Sequence, residues 1–511
     1  MNILMVASEV DGFAKTGGLA DVVSALSKSL VELGHDVKVV MPKYKCIEWD
    51  KLGKPKEHIK NLEVPVGDDH NEKCCAVYTA DMPGTTEGKQ VQVYFIEHEF
   101  YKRDGIYVDP NKKEDPKDYS DNPKRFTFLC MAALWLFREG DWQPGILHAH
   151  DWPTAMTAVY LKHNRQSLGK NFKKTASVLT IHNLGGAYQG CYDRSGNFEY
   201  MNLGIKFNDT GLEDDDGNKL NMLKAGLCCA DKLNTVSRAY AEETTKEPQD
   251  RGLDKVLKSR KDDNDYRGIL NGIDTNVWNP STDSLLPARY SFKDMAGKVR
   301  AKEVLQRIFR LPVSKETPII GMVLRLTEQK GIKELFWPNY GSAWQICNDM
   351  DIQMVVLGSD KKWCEDEIRA LTLKLPNFRA RIGFSEELAH LIEAGSDFFL
   401  MPSHYEPCGL NQMYSLNYGT IPIVRNTGGL KDSVKNYNMA TGDGTGFIYN
   451  DPTPQAIYSI VDRAVWTWNV RPEHIEAMRL RGMKEDFSWK KSTQEYVEMY
   501  ENALKKVQDN K

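Results

Sequence analysis

AKTGGLADVV (Ala14–Val23) is the stretch that indicates the architecture most clearly, because RNTGGLKDSV (Arg425–Val434) repeats its pattern in the other half of the chain. Both stretches read T-G-G-L-x-D-x-V, and in both the glycines follow a predicted strand and precede a predicted helix. Glycine lets the backbone approach a ligand closely, and a helix N-terminus offers free N–H groups and partial positive charge. The repeat predicts two related ligand-binding loops. Either copy alone could be a simple turn at a helix start.

Apolar strands alternate with helical stretches through both halves. The first half contains NILMVAS, DVKVVMP, VQVYFIE, ILHAH, SVLTIH and KLNTVS, and the second contains PIIGMVLRL, IQMVVLGS, RARIGF, DFFLMPS and IPIVRN. This alternation is typical of parallel sheets covered by helices on both faces. It predicts an α/β protein with two doubly wound, Rossmann-like domains whose ligand-binding edges face one deep cleft. The loops lack the G-x-G-x-x-G fingerprint, which argues against a dehydrogenase.

The domain boundaries are predicted from a polar, charged stretch, KEPQDRGLDKVLKSRKDDNDYRG, which is typical of a linker. We predict an N-terminal domain over residues 1–267 and a second domain over residues 268–485. The segment 486–511 has the aromatic and apolar spacing of an amphipathic helix. We expect this helix to pack back on the N-terminal domain.

The composition is that of an ordinary globular protein. The chain has 511 residues, 41% of them hydrophobic and 27% charged, with a formal net charge of −4. The charge favours neither nucleic acid nor an anionic membrane as partner. No apolar run has the length of a membrane span, and the N-terminus does not resemble a signal peptide. The ten cysteines form no C-x-x-C pair. Reduced thiols in a cytoplasmic protein are therefore expected.

Seven motifs occur in order along the chain: KTGGLADV, HAHDW at 148–152, TIHN at 180–183, LNGID at 270–274, RLTEQKG at 325–331, EPCGLNQMY at 406–414 and RNTGGLKDSV. Together they resemble the bacterial glycogen synthase and plant starch synthase family, over nearly the whole chain. The resemblance implies a GT-B fold and retaining transfer of glucose from ADP-glucose to the non-reducing 4-hydroxyl end of an α-1,4-glucan. It leaves glycogen or starch as the product, and a plastid or starch-granule location if the chain is of the plant type.

The diphosphate of the donor needs cationic partners. Arg325 and Lys330 lie five residues apart around a turn after a buried strand, where a guanidinium and an ammonium could grip one diphosphate. Two surface residues on a first helix turn are the alternative interpretation. The resemblance assigns both to the distal phosphate, with Lys15 and the backbone of Gly17 and Gly18 acting from the other domain.

The resemblance also assigns residues to the transferred sugar. Glu406 would stabilise positive charge at the anomeric carbon, His182 would contact the glucose, and Asp151 would bond its hydroxyls. A lone histidine at a strand end is more often structural, so this role for His182 depends on the family motif. The full predicted catalytic set is Lys15, His182, Arg325, Lys330 and Glu406. The donor-binding set comprises Lys15, Gly17, Gly18, Asp151, Asn271, Arg325, Lys330, Phe384, Glu406, Cys408, Gly409, Leu410, Tyr414, Thr427, Gly428 and Gly429.

Several of these positions carry a specific expectation. Tyr414 stands where the wider GT-B class often has a second glutamate, and the glycogen and starch synthases share the tyrosine. Phe384 could stack on the adenine. Asn271 would approach the donor from the interdomain edge, and Asp21 could order the loop of Lys15 without touching substrate.

No metal or cofactor is expected. His148 and His150 share one strand face, but their motif contains no third metal ligand. DMD at 349–351 precedes a predicted strand, so we interpret it as a turn and not as a metal-binding motif. No carboxylate pair has the pattern of a retaining glycosidase. We therefore predict front-face attack within an ion pair, with the departing phosphate accepting the proton of the acceptor hydroxyl.

Two departures from the family pattern leave the diphosphate residues untouched, and the resemblance implies that the first of them lies near the acceptor. LGGAYQG, after IHN, is longer by two glycines than the usual motif, and Pro153 stands where histidine is common. Two alternative functions remain open: a GT-B transferase that uses UDP-glucose and a small acceptor, and a catalytically inactive glucan-binding protein. The intact set of five predicted catalytic residues argues against the second. The oligomeric state is not readable from the sequence.

Overall fold

A computed structural model describes residues 1–67, 71–85, 88–110, 118–203, 205, 210–213, 218–246 and 252–509. Contacts within the chain divide it into two units. Unit 1 comprises Met1–Val236, Ala241–Asn271 and Trp489–Lys511, and unit 2 comprises Ser237–Tyr240 and Gly272–Ser488. Each unit is built on its own sheet, as the alternating pattern predicts.

Within its described residues, unit 1 contains a nine-stranded sheet and a separate two-stranded pair. The strands are β1 Asn2–Val6, β2 Asp36–Pro42, β3 Lys56–Val66, β4 Asn71–Asp81, β5 Gln92–Glu97, β6 Ile146–His150, β7 Ala176–Ile181, β8 Cys191–Asp193, β9 Lys219–Asn221, β10 Lys232–Thr235 and β11 Tyr266–Gly268. The order in the large sheet is β11-β10-β7-β6-β1-β2-β5-β4-β3. The central strands β1, β6 and β7 are almost entirely buried, so both faces of the sheet are covered.

Unit 1 departs from a purely parallel sheet at one edge. The pairs from β11 to β5 are parallel, whereas β3 and β4 pair antiparallel with each other and β4 pairs antiparallel with β5. The sequence pattern did not indicate β3, because most of its residues are polar and exposed. An edge strand packs on little, so it lacks the apolar run that marks a central parallel strand.

Helices of unit 1 flank these strands. They are α1 Gly18–Glu32, α2 Trp49–Leu52, α3 Asn122–Leu136, α4 Asp151–Thr154, α5 Met156–His163, α6 Phe198–Met201, α7 Met222–Cys229, α8 Arg238–Glu243, which crosses into unit 2, and α9 Asp254–Asp262. The polar stretch that predicts a linker contains α9 and β11, and β11 pairs with β10. Its residues 247–251 lie outside the described part of the chain. This stretch therefore completes the sheet of unit 1 before the chain enters unit 2.

Unit 2 has a six-stranded parallel sheet within the described residues. Its strands are β12 Ile319–Leu326, β13 Gln353–Asp360, β14 Phe378–Ile382, β15 Phe398–Met401, β16 Ile421–Arg425 and β17 Phe447–Tyr449, in the order β14-β13-β12-β15-β16-β17. Its helices are α10 Ala296–Ile308, α11 Ile332–Phe336, α12 Ser342–Asp349, α13 Lys362–Lys374, α14 Glu386–Gly395, α15 Asn411–Asn417, α16 Gly428–Ser433, α17 Pro454–Val470 and α18 Pro472–Gly482.

Two apolar clusters cover the two faces of the unit 2 sheet. On β13, Met354 and Val356 belong to one cluster, whereas Val355 and Leu357 belong to the other. Successive strand residues point to opposite faces, so this alternation places helices against both sides. The doubly wound architecture predicted from the apolar strands is confirmed for this unit.

The last helix, α19 Trp489–Asp509, belongs to unit 1. Its buried face consists of Trp489, Ser492, Thr493, Tyr496, Met499, Tyr500 and Ala503. The spacing of three and four residues is that of an amphipathic helix, and this face packs against α1 and β7. No helix in the described ranges combines the length and apolar composition required to cross a bilayer. All ten cysteines lie in those ranges, and none of them forms a disulfide.

Candidate active site

The predicted residues of unit 2 meet at the carboxyl edge of its sheet. Strands β12, β15 and β16 are neighbours, and their carboxyl ends lead to the RLTEQKG turn, the EPCGL loop and the second glycine loop. Ligands of doubly wound sheets bind at this edge. Arg325 lies near the end of β12 with its side chain exposed. The sheet order thus brings three predicted motifs together from positions far apart in the chain.

An ion pair joins two of the predicted catalytic residues. Lys330 Nζ lies 2.5 Å from Glu406 Oε2, and the hydroxyl of Ser403 donates to the same oxygen over 3.0 Å. The side chain of Glu406 is buried and that of Lys330 is mostly buried. A carboxylate held beside a cation at a ligand-binding edge can stabilise separated charges on a bound substrate.

The second glycine loop needs its glycines for packing. Gly428 has φ +44, and a Cβ atom there would lie 2.0 Å from the carbonyl oxygen of Glu406. A Cβ atom at Gly429 would lie 2.0 Å from the carbonyl oxygen of Cys408, and the amide of Gly429 donates to the Glu406 carbonyl over 3.0 Å. These glycines let α16 approach the EPCGL loop at the distance of a backbone hydrogen bond.

The first glycine loop differs, because its glycines face open space. A Cβ atom at Gly17 or Gly18 would have no neighbour within 4 Å. The loop is held instead by the buried carboxylate of Glu9, which accepts hydrogen bonds from the backbone amides of Thr16 and Gly17 and from the Thr16 hydroxyl. The hydroxyl of Tyr107 also donates to Glu9, over 2.7 Å. The room at Gly17 and Gly18 leaves their backbone accessible to a ligand.

Lys15 is paired with two carboxylates beside this loop. Its Nζ donates to Asp21 Oδ1 over 2.5 Å and to Asp11 Oδ1 over 3.2 Å. Burial lowers the pKa of Lys15, but its interactions with Asp21 and Asp11 outweigh burial and leave the pKa above its ordinary value. Burial also raises the pKa of Asp21, and Lys15 opposes that rise. The contact to Asp21 agrees with its predicted role in ordering the Lys15 loop.

Asp151 and His182 follow the neighbouring strands β6 and β7. Asp151 has φ +55, a left-handed backbone conformation that is uncommon but that aspartate adopts more readily than most residues, and its Oδ1 accepts from the backbone amide of His182 over 2.6 Å. Burial raises the pKa of Asp151 to about 8, against hydrogen bonds from the amides of His182 and Asn183. Below that pH the carboxyl group is mainly protonated, so it can both donate to and accept from a sugar hydroxyl.

The imidazole of His182, which is half-buried, continues a line of two fully buried histidines. Its Nε2 lies 3.1 Å from Nδ1 of His150, and the rings of His150 and His148 have centroids 4.2 Å apart. Burial lowers the pKa of His182 and of His148 to about 3. Both rings are therefore neutral under ordinary conditions.

The remaining predicted donor-site residues have different surroundings. Tyr414 stacks on Trp278 with ring centroids 3.8 Å apart, and the other face of Trp278 stacks on His390, also at 3.8 Å. Phe384 follows β14, and 81% of this residue is exposed to solvent. Asn271 is buried, and its Oδ1 has no hydrogen-bond partner among the described residues.

The other residues of the EPCGL loop lie at its passage into α15. Leu410 directly precedes this helix, and Gln412 donates to the carbonyl oxygens of Cys408 and Gly409 over 3.1 and 3.0 Å. Thr427 directly precedes α16. In the described ranges, no group of three histidine, cysteine or acidic side chains could hold a metal ion.

Three residues that contact the predicted set carried no indication in the sequence. Glu9 lies seven positions before Thr16 and belongs to no motif, Ser403 is one of many serines, and Trp278 lies in a polar segment. In the LGGAYQG loop, Gly185 donates to Asn183 Oδ1 over 2.8 Å, and Gly186–Tyr188 forms a 3₁₀ turn. The extra glycines therefore lie in a turn next to His182.

Known families match both halves of the chain. The family described as starch synthase catalytic domain matches residues 2–259, and glycosyl transferases group 1 matches residues 306–480. The chain is 47% identical to a glycogen synthase of Treponema denticola over 514 residues, with 99% of each chain covered. It is 42% identical to glycogen synthase 1 of Geobacter metallireducens, covering 99% of this chain and 97% of the relative.

A solved structure shares the whole fold. The catalytic domain of starch synthase IV from Arabidopsis thaliana, bound to ADP and acarbose, superposes with a TM-score of 0.85 and is 29% identical. The match covers 99% of each chain. Both units therefore have counterparts in that solved structure.

Proposed function

Because the chain belongs to the starch synthase and glycogen synthase family of glycosyltransferases, we propose that it elongates an α-1,4-glucan with glucose from ADP-glucose. Glucose is added to the non-reducing 4-hydroxyl end with retention at the anomeric carbon. The observation that carries the proposal is the pair Lys330–Glu406, 2.5 Å apart at the carboxyl edge of the unit 2 sheet. Similarity to bacterial glycogen synthases supports a glucan acceptor and a cytoplasmic location.

Unit 2 supplies the charges for the departing ADP. Lys330 and Arg325 bind the distal phosphate, where negative charge grows as the bond to glucose breaks. Glu406 faces the glucose and stabilises the positive charge that develops at the anomeric carbon. Fixed charges of this kind stabilise a transition state without reorganisation at the moment of reaction. The ADP bound to the related starch synthase IV supports an adenine nucleotide as the leaving group.

Nucleotide recognition uses the loops around the same edge. Phe384 stacks on adenine, because its exposed ring follows β14 at the same carboxyl edge of the parallel sheet. Tyr414 is held in one orientation by its stack on Trp278 and lines the donor site. The backbone of Cys408, Gly409, Leu410 and the Thr427–Gly429 loop lines the site of sugar and phosphate.

Unit 1 supplies the sugar-binding groups. Asp151 and His182 bond hydroxyls of the transferred glucose, and the open backbone at Gly17 and Gly18 admits phosphate or sugar. Lys15 contributes charge once the ligand competes with Asp21 for its ammonium group. Asn271 accepts a hydrogen bond from a hydroxyl of ADP-glucose with its buried Oδ1, which has no partner among the described residues.

The reaction proceeds by front-face attack within a short-lived ion pair. The bond between C1 of glucose and the phosphate oxygen breaks, the bond between C1 and the acceptor O4 forms, and the acceptor proton passes to the departing phosphate. The products are ADP and a glucan longer by one glucose. The positive charges of Lys15, Arg325 and Lys330 serve in place of a metal ion, so no metal is required.

A donor assay tests the proposal. Purified protein is incubated with ADP-glucose or UDP-glucose and with glycogen or maltooligosaccharides, in the presence of EDTA. Transfer from ADP-glucose is expected, and it is abolished in Glu406→Ala. Glu328→Ala is the matched control, because this carboxylate pairs with Lys333 on the surface of the same region. Absence of transfer from both donors would contradict the proposal, and transfer from UDP-glucose alone would overturn the donor assignment.

A further inference from the structure

Two histidines that the proposed reaction does not use lie behind His182. His148 and His150 are completely buried on one face of β6, and His150 Nδ1 contacts His182 Nε2 at 3.1 Å. The ring centroids are 4.2 Å apart from His148 to His150 and 5.4 Å apart from His150 to His182. The three rings thus form a continuous line, which we call the histidine line, from the inside of unit 1 to the predicted sugar site.

Hydrogen bonds fix the proton of the innermost ring. The Thr180 hydroxyl donates to Asn234 Oδ1 over 2.7 Å, so it must accept from His148 Nε2, which lies 2.7 Å away. His148 therefore carries its proton on Nε2, and its Nδ1 accepts from the hydroxyl of Tyr500 over 2.8 Å. The α19 helix supplies both Tyr500 and Tyr496, whose hydroxyl accepts from Asn234 over 3.1 Å. Because both of its nitrogens form hydrogen bonds, the ring of His148 is held in one orientation beside the ring of His150.

In the contact between His150 and His182, one ring nitrogen donates a hydrogen bond and the other accepts it. Burial keeps both rings neutral, because it holds the pKa of His150 well below its ordinary value and lowers that of His182 to about 3. Each ring therefore carries one proton. Nε2 of His150 is buried without a partner among the described residues.

The two possible directions of this hydrogen bond are not equivalent. If His182 donated from Nε2, His150 would carry its proton on Nε2, as a buried N–H without an acceptor. If His150 donates from Nδ1, only an unprotonated nitrogen is left unpaired. Buried N–H groups without an acceptor are rare in protein interiors, and buried acceptors without a donor are less rare. His150 is therefore the donor.

We propose that His150 is a positioning residue that fixes the tautomer of His182, so that His182 carries its proton on Nδ1 and donates it to an oxygen of the glucose being transferred. Nδ1 of His182 has no partner in the part of the chain that the structure describes, and the residue is only half-buried. The choice of glucose as the acceptor of this hydrogen bond rests on the proposed function. The tautomer itself follows from the hydrogen bonds of the free protein.

Nitrogen NMR of the free protein tests the tautomer. Protein labelled with ¹⁵N-histidine gives long-range correlations that distinguish protonated from unprotonated ring nitrogens, and His182→Gln identifies the signals of His182. We expect a protonated Nδ1 and an unprotonated Nε2. A protonated Nε2 on His182 in the wild-type protein would overturn the proposal, whatever the behaviour of any variant.

Two variants separate the role of His150 from general packing. His150→Phe removes the donor, so the proton of His182 is expected to move to Nε2 and kcat to fall about tenfold, with KM for ADP-glucose changed less than about twofold. Tyr500→Phe breaks the bond to His148 but leaves His150 in place, and the tautomer of His182 is expected to remain. A change of tautomer in Tyr500→Phe as well would contradict a specific role for His150.

Ligand addition separates this inference from the proposed function. ADP-glucose is expected to shift the Nδ1 signal of His182, whereas ADP alone leaves it in place. An unchanged signal with ADP-glucose bound would overturn the contact to glucose. Failure of glucosyl transfer would contradict the proposed function, but it would not change the tautomer measured in the free protein.

Discussion

Lys330 Nζ lies 2.5 Å from Glu406 Oε2, although the two residues come from different loops at the ends of β12 and β15. The two strands are neighbours in a parallel sheet, so the pair exists only because of the strand order. In the proposed reaction Lys330 binds the phosphate, so its pairing with the buried carboxylate of Glu406 would couple the two charges of the breaking glycosyl–phosphate bond. The pair is therefore the part of the site on which the proposed chemistry depends most.

Removing either charge should reduce turnover strongly. We expect Glu406→Gln and Lys330→Gln each to lower kcat about 100- to 1000-fold, as loss of a fixed transition-state charge does. The double variant should lose much less than the product of the two factors, because the two side chains act on one charge distribution. Steady-state kinetics of the three variants measure this. Independent, multiplicative losses would show that the ion pair is not a functional unit.

The two glycine loops should respond differently to an added methyl group. Gly429→Ala places a Cβ atom 2.0 Å from the Cys408 carbonyl oxygen, and we expect a loss of stability of about 1–3 kcal/mol or more. Gly18→Ala meets no atom within 4 Å and lies at the first position of a helix, so stability should be unchanged or slightly higher. Its KM for ADP-glucose should rise. Thermal unfolding and donor kinetics of both variants test the contrast, and a Gly18→Ala enzyme with unchanged kinetics would refute a ligand role for that loop.

The carboxylate of Glu9 should hold the first glycine loop. It accepts from Thr16, Gly17 and Tyr107, so Glu9→Gln would turn an amide N–H toward groups that are themselves donors. We expect a loss of stability of about 1–3 kcal/mol and a higher KM for ADP-glucose. Glu32→Gln, which removes only an exposed ion pair with Lys89, is the matched control and should change neither quantity. Equal effects of both variants in urea unfolding would rule out a specific role for Glu9.

The histidine line should make the protein sensitive to acid. His148 and His182 have a pKa of about 3 in the folded chain, against about 6.5 when unfolded. Between these values the unfolded chain binds protons that the folded chain does not, so stability falls as the pH falls from about 6.5 toward 3. Each histidine contributes a slope of up to about 1.4 kcal/mol per pH unit.

Urea unfolding between neutral pH and the acid range measures this slope. His148→Gln is expected to reduce it by the contribution of one proton, even if the variant is less stable at neutral pH. A slope that His148→Gln leaves unchanged would mean that His148 is protonated in the folded protein, contrary to its burial.

The motifs predicted the family and the fold because they are short, local and tied to strand ends. The two-domain α/β architecture and the identity as a glycosyltransferase are confirmed by the sheets of both units and by the relatives. The antiparallel extension by β3 and β4 was not predicted, because β3 is an edge strand whose residues are mostly polar and exposed. Residue roles in donor binding and catalysis remain predictions.

The supporting contacts could not be read from the sequence for a different reason. Trp278 stacks on Tyr414, which lies far along the chain, and only the folded unit brings the two rings together. Glu9 and Ser403 contact residues three to eight positions away, but the loop conformations that make these contacts have no residue pattern that indicates them. His148 and His150 were visible as a pair on one strand face, but their bonds to Tyr500 and His182 depend on α19 and β7. Local motifs indicate which atoms react, whereas tertiary packing decides which atoms position them.

The linkage formed in the product shows directly whether the protein is an α-1,4-glucan synthase. Maltoheptaose is incubated with ADP-glucose labelled with ¹³C at C1, and the new residue is identified by NMR. We expect a single α-1,4-linked glucose at the non-reducing end, formed with EDTA present and without a trapped glucosyl-enzyme. A β-linked product, a glucose attached at another position, or a covalent glucosyl-enzyme would contradict it.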